Sequence, residues 1–297
     1  MRERSSKNAQ FRKKIITIKL APREGVKRKT VTIKQKHDEP VRIVTACDTL
    51  IGTRDYQQDA LYVTDSVSAQ LGEEVKAFGI LCDGMGGMQS GEEASNLAVA
   101  EMRKELETLQ FERNVADFIN ETVRRLDAMI VKKYGAGVAG TTMVTAVIFG
   151  NRLYWGSVGD SRIYLIRRNE IAQVTRDHNY YLYLKEDVEK QKITQEEADT
   201  HPMREALVSY IGSGTTELID TNAEPFALTD GDIVLLCSDG LTRSLTDEEI
   251  RAHIYSRRDN LKEASGSLTQ YAIDIDMRPK DNTSVILIQY FEEIKER

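Results

Sequence analysis

Asp83 closes the apolar run "FGILC" and opens a glycine-rich stretch, "GMGGMQSG". Four more aspartates hold comparable places: Asp59 before "ALYV", Asp160 after "LYWGSVG", Asp239 after "IVLLCS" and Asp281 before "NTSVILI". One such acid is ordinary, because turns at strand ends favour Asp and Gly. Five converging carboxylates would instead repel one another and raise their own pKa values, a conflict that divalent cations resolve. Oxygen donors without histidine or thiolate select hard ions, Mg²⁺ or Mn²⁺, over zinc or copper. Gly84 has no Cβ, so the backbone can turn there and bring its carbonyl close to a cation.

The acids must be positioned by the elements around them. Valine- and isoleucine-rich segments at 41–48, 60–65, 76–82, 142–149, 152–158, 162–167, 171–175, 232–238 and 283–290 read as strands joined by short turns, as in antiparallel sheets. Helices interrupt them in pairs. Ser90 and Glu93 have capping-box spacing ahead of an apolar face of Ala94, Leu97, Ala98, Met102 and Leu106. Val115, Phe118, Ile119, Val123 and Leu126 mark a second helix. Near the C-terminus, Thr246 and Glu249 cap a helix carrying Ile250 and Ile254, and Leu261, Ala264 and Leu268 mark its neighbour. Sheets flanked by helix pairs make an α+β layered domain over residues 41–297. Residues 176–215 show no clean periodicity and read as a functional irregular insert.

Composition narrows the class. The chain has 297 residues, 40% hydrophobic and 30% charged, which fits a globular protein with a sizeable core. No apolar run approaches the roughly 20 residues of a membrane span, and no apolar centre of a secretory signal follows the N-terminus, so a cytoplasmic location is expected. The three cysteines form no metal-type pair, and the four histidines lie far apart. Residues 1–42 carry 14 Lys/Arg against 4 Asp/Glu, whereas the rest carries 27 against 43. A basic arm, residues 1–40, thus precedes an acidic body. Its "KKIITIKL" and "KTVTIKQ" alternate like the strands of a β-hairpin. Phe11 is the lone aromatic residue among its charges, so nucleic-acid readout is not favoured.

"RDYQQDA", "DGMGG", "GTT", "GDSR", "CSDGL" and "KDN" occur in that order. Together they resemble the metal-dependent (PPM, type 2C) serine/threonine protein phosphatases, in their bacterial form, over roughly residues 41–290. The resemblance implies a four-layer α-β-β-α sandwich, two antiparallel sheets with helices outside, and two or three Mn²⁺ or Mg²⁺ ions. It implies that Asp83 bridges two metals with the Gly84 carbonyl on one of them. Asp59 then matches a water-mediated metal contact, Asp239 and Asp281 the ligands of the other metal, and Asp160 an acid of a third, weaker site. Arg54 matches the arginine that grips substrate phosphate. The implied reaction is hydrolysis of phosphoserine and phosphothreonine in proteins by a metal-activated water, without a covalent intermediate. A cognate Ser/Thr kinase as partner, a monomeric state and a flap at 176–215 are expected by the same analogy.

Three positions depart from the family pattern. Gln58 stands where Glu is usual, removing a charge next to the ligands. Met85 and Met88 stand where relatives carry histidine, so the loop holds no histidine to protonate a leaving alkoxide. His201 in the insert is the remaining candidate, although a lone histidine there reads more simply as structural. Three rival readings stand beside this one. Cys237 and Arg243 have the spacing of a cysteine-phosphatase loop. "DGMGGMQSG" joins a strand to a helix as dinucleotide-binding turns do, but Gln89 breaks the template. A catalytically weak scaffolding relative would explain Gln58 and Met88.

Overall fold

The structure is a computed structural model and describes residues 40–71, 76–86, 89–110, 114–275 and 279–292. Its first half runs β1 (Pro40–Leu50), β2 (Asp59–Val63), β3 (Val67–Leu71), β4 (Lys76–Gly86), α1 (Gln89–Thr108), α2 (Val115–Tyr134), β5 (Ala139–Thr141), β6 (Met143–Phe149) and β7 (Arg152–Val158). It continues with β8 (Arg162–Arg167), β9 (Glu170–Gln173), α3 (Tyr181–Glu189), α4 (Gln195–Asp199), β10 (Asp220–Thr221) and β11 (Phe226–Ala227). The C-terminal part is β12 (Ile233–Cys237), α5 (Asp239–Ser244), α6 (Asp247–Ser256), α7 (Leu261–Asp274) and β13 (Thr283–Glu292). One sheet has the order β3-β1-β13-β12-β8-β9, the other β10-β7-β6-β4-β2 with β11 and β5 at its margins. All registered pairings are antiparallel.

Three apolar layers hold the four structural layers together. On β6, Val144, Ala146 and Ile148 face the opposite sheet, while Met143, Val147 and Phe149 face α1 and α2. On β13, Ile286 and Ile288 point into the space between the sheets, whereas Val285 and Leu287 point to α6 and α7. Successive side chains on a strand alternate faces, so a strand covered on both faces must be apolar throughout. That is why the strands read as continuous Val/Ile/Leu runs. Gly79 keeps the sheets close, since a Cβ there would lie 3.2 Å from Ile286.

The expected α+β sandwich is present, and the predicted apolar faces of both helix pairs are the ones buried. Two local expectations are corrected. Ser90 lies within the first turn of α1 rather than before it, and Glu93 accepts from Tyr134 Oη at 2.5 Å and Lys133 Nζ at 2.9 Å instead of closing a capping box. Residues 176–215 are not irregular throughout, for they contain α3 and α4. Those helices bury only Leu184 and Ala198, so they carry no apolar stripe to betray them. The capping box at Thr246 and Glu249 forms as expected. The arm's hairpin and Met88 lie outside the described residues. No described helix is long and apolar enough to cross a membrane.

Candidate metal centre

The predicted acids gather where the two sheets meet at one end. Asp59 begins β2 and stands directly opposite Asp83 of β4 in the antiparallel register. Like charges in that relation are destabilising. The partner sheet contributes Asp239, two residues beyond β12, and Asp281, two residues before β13. Asp160 lies in the turn between β7 and β8. Asp239 acts electrostatically on Asp83.

Hydrogen bonds fix this corner from several directions. The Asp83 amide donates to Thr142 Oγ1 (3.0 Å), and its carbonyl accepts from Thr142 N (2.9 Å) and Thr141 Oγ1 (2.9 Å). Ser238 Oγ donates to Asp59 Oδ2 at 2.7 Å and accepts from the Ser284 amide at 3.0 Å, tying both sheets to one carboxylate. Asn282 holds the β1–β2 loop: its Oδ1 accepts from Gln58 N (2.7 Å), and its Nδ2 donates to the carbonyls of Ile51 (2.8 Å) and Tyr56 (3.1 Å). The Gln58 carbonyl in turn accepts from Gly84 N at 3.0 Å and Ser95 Oγ at 2.6 Å. A Cβ on Gly84 would come within 2.2 Å of the Gly91 carbonyl. This crossing of β4 and α1 is closed to any other residue.

Charge in the corner is poorly compensated. Burial, then Asp59, Asp239, Asp160 and Asp281, holds the Asp83 carboxyl well above its usual range. Burial pushes Asp59 up to about 7 against the opposing hydrogen bonds of Ser284 and Ser238. Burial and then Asp239 push Asp160 up to about 7, with Arg243 pulling the other way. Asp239 is raised by burial, with Arg243 opposing. Two arginines answer part of the excess. Arg54 Nη2 lies 2.8 Å from Asp281 Oδ2, and Arg243 Nη2 lies 2.6 Å from Asp239 Oδ2.

The residues fit hard cations on structural grounds. Asp59 Oδ1 and Asp239 Oδ1 are buried without a hydrogen-bond partner, which is costly for carboxylate oxygens unless a cation faces them. As the side chains stand, with Asp239 and Asp281 drawn onto arginines, no three acid, histidine or cysteine side chains among the described residues form a ready-made cage. Asp59 Oδ1 and Asp239 Oδ1 are open to a cation, while the Oδ2 atoms of Asp239 and Asp281 are held by arginines.

Residues 45–201 match the family model described as protein phosphatase 2C. The chain belongs to that family. It is 30% identical over 217 residues to the serine/threonine phosphatase stp of Listeria welshimeri, covering 71% of this chain and 83% of that protein. Among solved structures, the serine/threonine phosphatase of S. agalactiae superposes with a TM-score of 0.72 at 25% identity, covering 84% of this chain and all of that one. The catalytic domain of the phosphatase PstP, solved with two manganese ions, gives 0.65 at 25% identity over 85% of this chain and all of that one.

The structure also disposes of two lesser readings. Cys237 is fully buried within β12, its thiol is pushed up to about 12 by burial, and Arg243 is engaged by Asp239, so no cysteine-phosphatase loop exists here. His201 accepts from its neighbour Met203 N at 3.1 Å and packs against Tyr180, as a structural histidine does. Sequence reasoning gave no role to Ser238, Thr141, Thr142, Asn282 or His178. His178 Nδ1 accepts from Gly159 N at 3.2 Å, and its amide donates to Gly159 O at 2.9 Å, which fixes the turn bearing Asp160. The quoted motifs "GTT", "CSDGL" and "KDN" contained most of these residues, but as polar neighbours of acids they look like ordinary turn residues.

Proposed function

We propose that this chain hydrolyses phosphoserine and phosphothreonine in protein substrates, using Mn²⁺ or Mg²⁺ held by Asp59, Asp83, the Gly84 carbonyl, Asp239 and Asp281, with Asp160 at the edge of the cluster. The observation that carries the reading is the pair of orphaned buried oxygens, Asp59 Oδ1 and Asp239 Oδ1, in a cluster whose carboxyls are raised by burial and mutual repulsion. The names of the relatives and the two manganese ions of the PstP structure support the same assignment. Bound hard cations supply positive charge that neutralises phosphoryl oxygens and acidifies water.

The chain's own residues do the rest. Ser238 and Thr142 orient the Asp59 carboxylate and the Asp83 backbone before any ligand arrives. The Arg54 side chain is 57% exposed at the mouth, and its fork suits a phosphate dianion once Asp281 is otherwise engaged. No protein nucleophile is needed, and the buried thiols of Cys82 and Cys237, both raised by burial, are unsuited to supply one. The proposed reaction is direct displacement by water, without a phosphoenzyme. The domain is proposed to span 41–297 with 176–215 as its flap and 1–40 as a basic arm. It is proposed to act as a cytoplasmic monomer on the products of a Ser/Thr kinase.

The test is phosphate release from a phosphothreonine peptide with added Mn²⁺, for the natural chain and for Asp239→Asn. The natural chain should turn over, and the variant should fall by a factor of about 100 or more, as loss of an electrostatic element in a catalytic site does. Equal background turnover in both would favour the scaffolding reading.

A further inference from the structure

Arg243 has no role in the chemistry above, yet it reaches the centre of the charge. It lies four residues after Asp239 on α5, so one helical turn returns its guanidinium to that carboxylate. Nη2 is 2.6 Å from Asp239 Oδ2, and Nη1 is 3.6 Å from Asp281 Oδ2. On the other side, Nη2 is 3.9 Å from Glu205 Oε2 in the flap. Asp160 also acts on it electrostatically, so Arg243 feels three of the five clustered aspartates at once. An exposed i,i+4 pair is usually worth little. Here, however, the Asp239 side chain is only 13% exposed and its second oxygen is orphaned, so the pairing is set inside the site.

A guanidinium cannot shed its charge at any ordinary pH, and it is tethered where a mobile ion would have to be captured. We propose that Arg243 is a built-in counter-ion of the cluster: it holds the Asp239–Asp281 edge together when ions are scarce, and it competes with the weakest-bound cation there. The inference rests on the metal reading above and adds a cost to metal loading. Arg243 must loosen its hold on the Oδ2 atoms of Asp239 and Asp281 before those oxygens can turn to an ion.

The experiment is calorimetric titration of Mn²⁺ into the metal-stripped full chain, Arg243→Gln and Arg243→Lys, together with melting curves of the same samples. Gln keeps hydrogen-bonding capacity without charge. Its weakest-bound Mn²⁺ should bind about fivefold or more tighter than in the natural chain, the scale of one partly exposed ion pair. The metal-free Gln variant should melt lower, with Mn²⁺ restoring the difference. The Lys variant, which keeps the charge, should stay within about twofold of the natural affinity, and Arg243→Met replaces Gln if the latter does not fold. Unchanged or weaker Mn²⁺ binding in the uncharged variant overturns the inference and leaves the metal reading standing. So does a Lys variant that tightens as much as the Gln variant. Lack of Mn²⁺ uptake by all the proteins removes the metal reading, and the inference with it.

Discussion

Asp59 and Asp83 face each other across two strands. Their raised pKa values fix a pH dependence whose sign is opposite to that of an ordinary ion-paired aspartate. Asp59 and Asp160 titrate at about 7 when folded but near the ordinary Asp value of 3.8 when unfolded. Between those limits the folded chain holds protons that the unfolded chain has released, so stability is greatest at the acid end and declines as pH rises. Melting temperatures of the metal-free protein should therefore fall by several degrees from about pH 5 to about pH 7.5. Millimolar Mn²⁺ should flatten the profile, because an ion keeps the carboxylates ionised without penalty. A metal-free profile that is level or rising over that range would contradict the charge arrangement described for this corner.

At the scale of elements, α2 does more than cover a sheet. Asp127, only 8% exposed, accepts with one oxygen from Gly212 N (2.7 Å), Gly214 N (3.2 Å) and Thr216 Oγ1 (2.9 Å). It fastens the end of the flap segment to the helix, next to the Thr141–Ile211 backbone pairing that joins the flap to β5. Asp127→Ala strands three donors, so it should cost about 2–4 kcal/mol and accelerate hydrogen exchange across 210–216, with less effect in the helix core. Unaltered exchange there would show that the flap is held by other contacts. None of this was legible in the sequence, where Asp127 is one polar residue in an amphipathic helix. The same limit hid α3 and α4, whose exposed faces leave no periodic apolar signal, whereas α6 and α7 were readable from a cap and an apolar face.

Across the whole molecule, the two sheets were legible because helices and the opposite sheet cover both faces of the central strands, keeping β12 wholly apolar, β6 apolar but for Thr145, and β13 apolar through its Val285–Ile288 run. The acids were legible for a related reason: each marks a point where such a run starts or stops. What stayed hidden is the lattice that aims them. Ser238 reaches Asp59 across 179 positions, and Asn282 reaches Gln58 across 224, so no local pattern joins either pair. Arg243 was visible only as the end of a misleading cysteine spacing, and folding turned it onto Asp239 instead. The central claim is that these distant carboxylates close around hard cations. Anomalous scattering from crystals grown with Mn²⁺ tests it most directly. The account predicts two manganese peaks sharing Asp83, one beside the Gly84 carbonyl and one beside Asp239 and Asp281. Well-ordered crystals without a peak in that corner, or with manganese bound only by acids elsewhere on the surface, would contradict it.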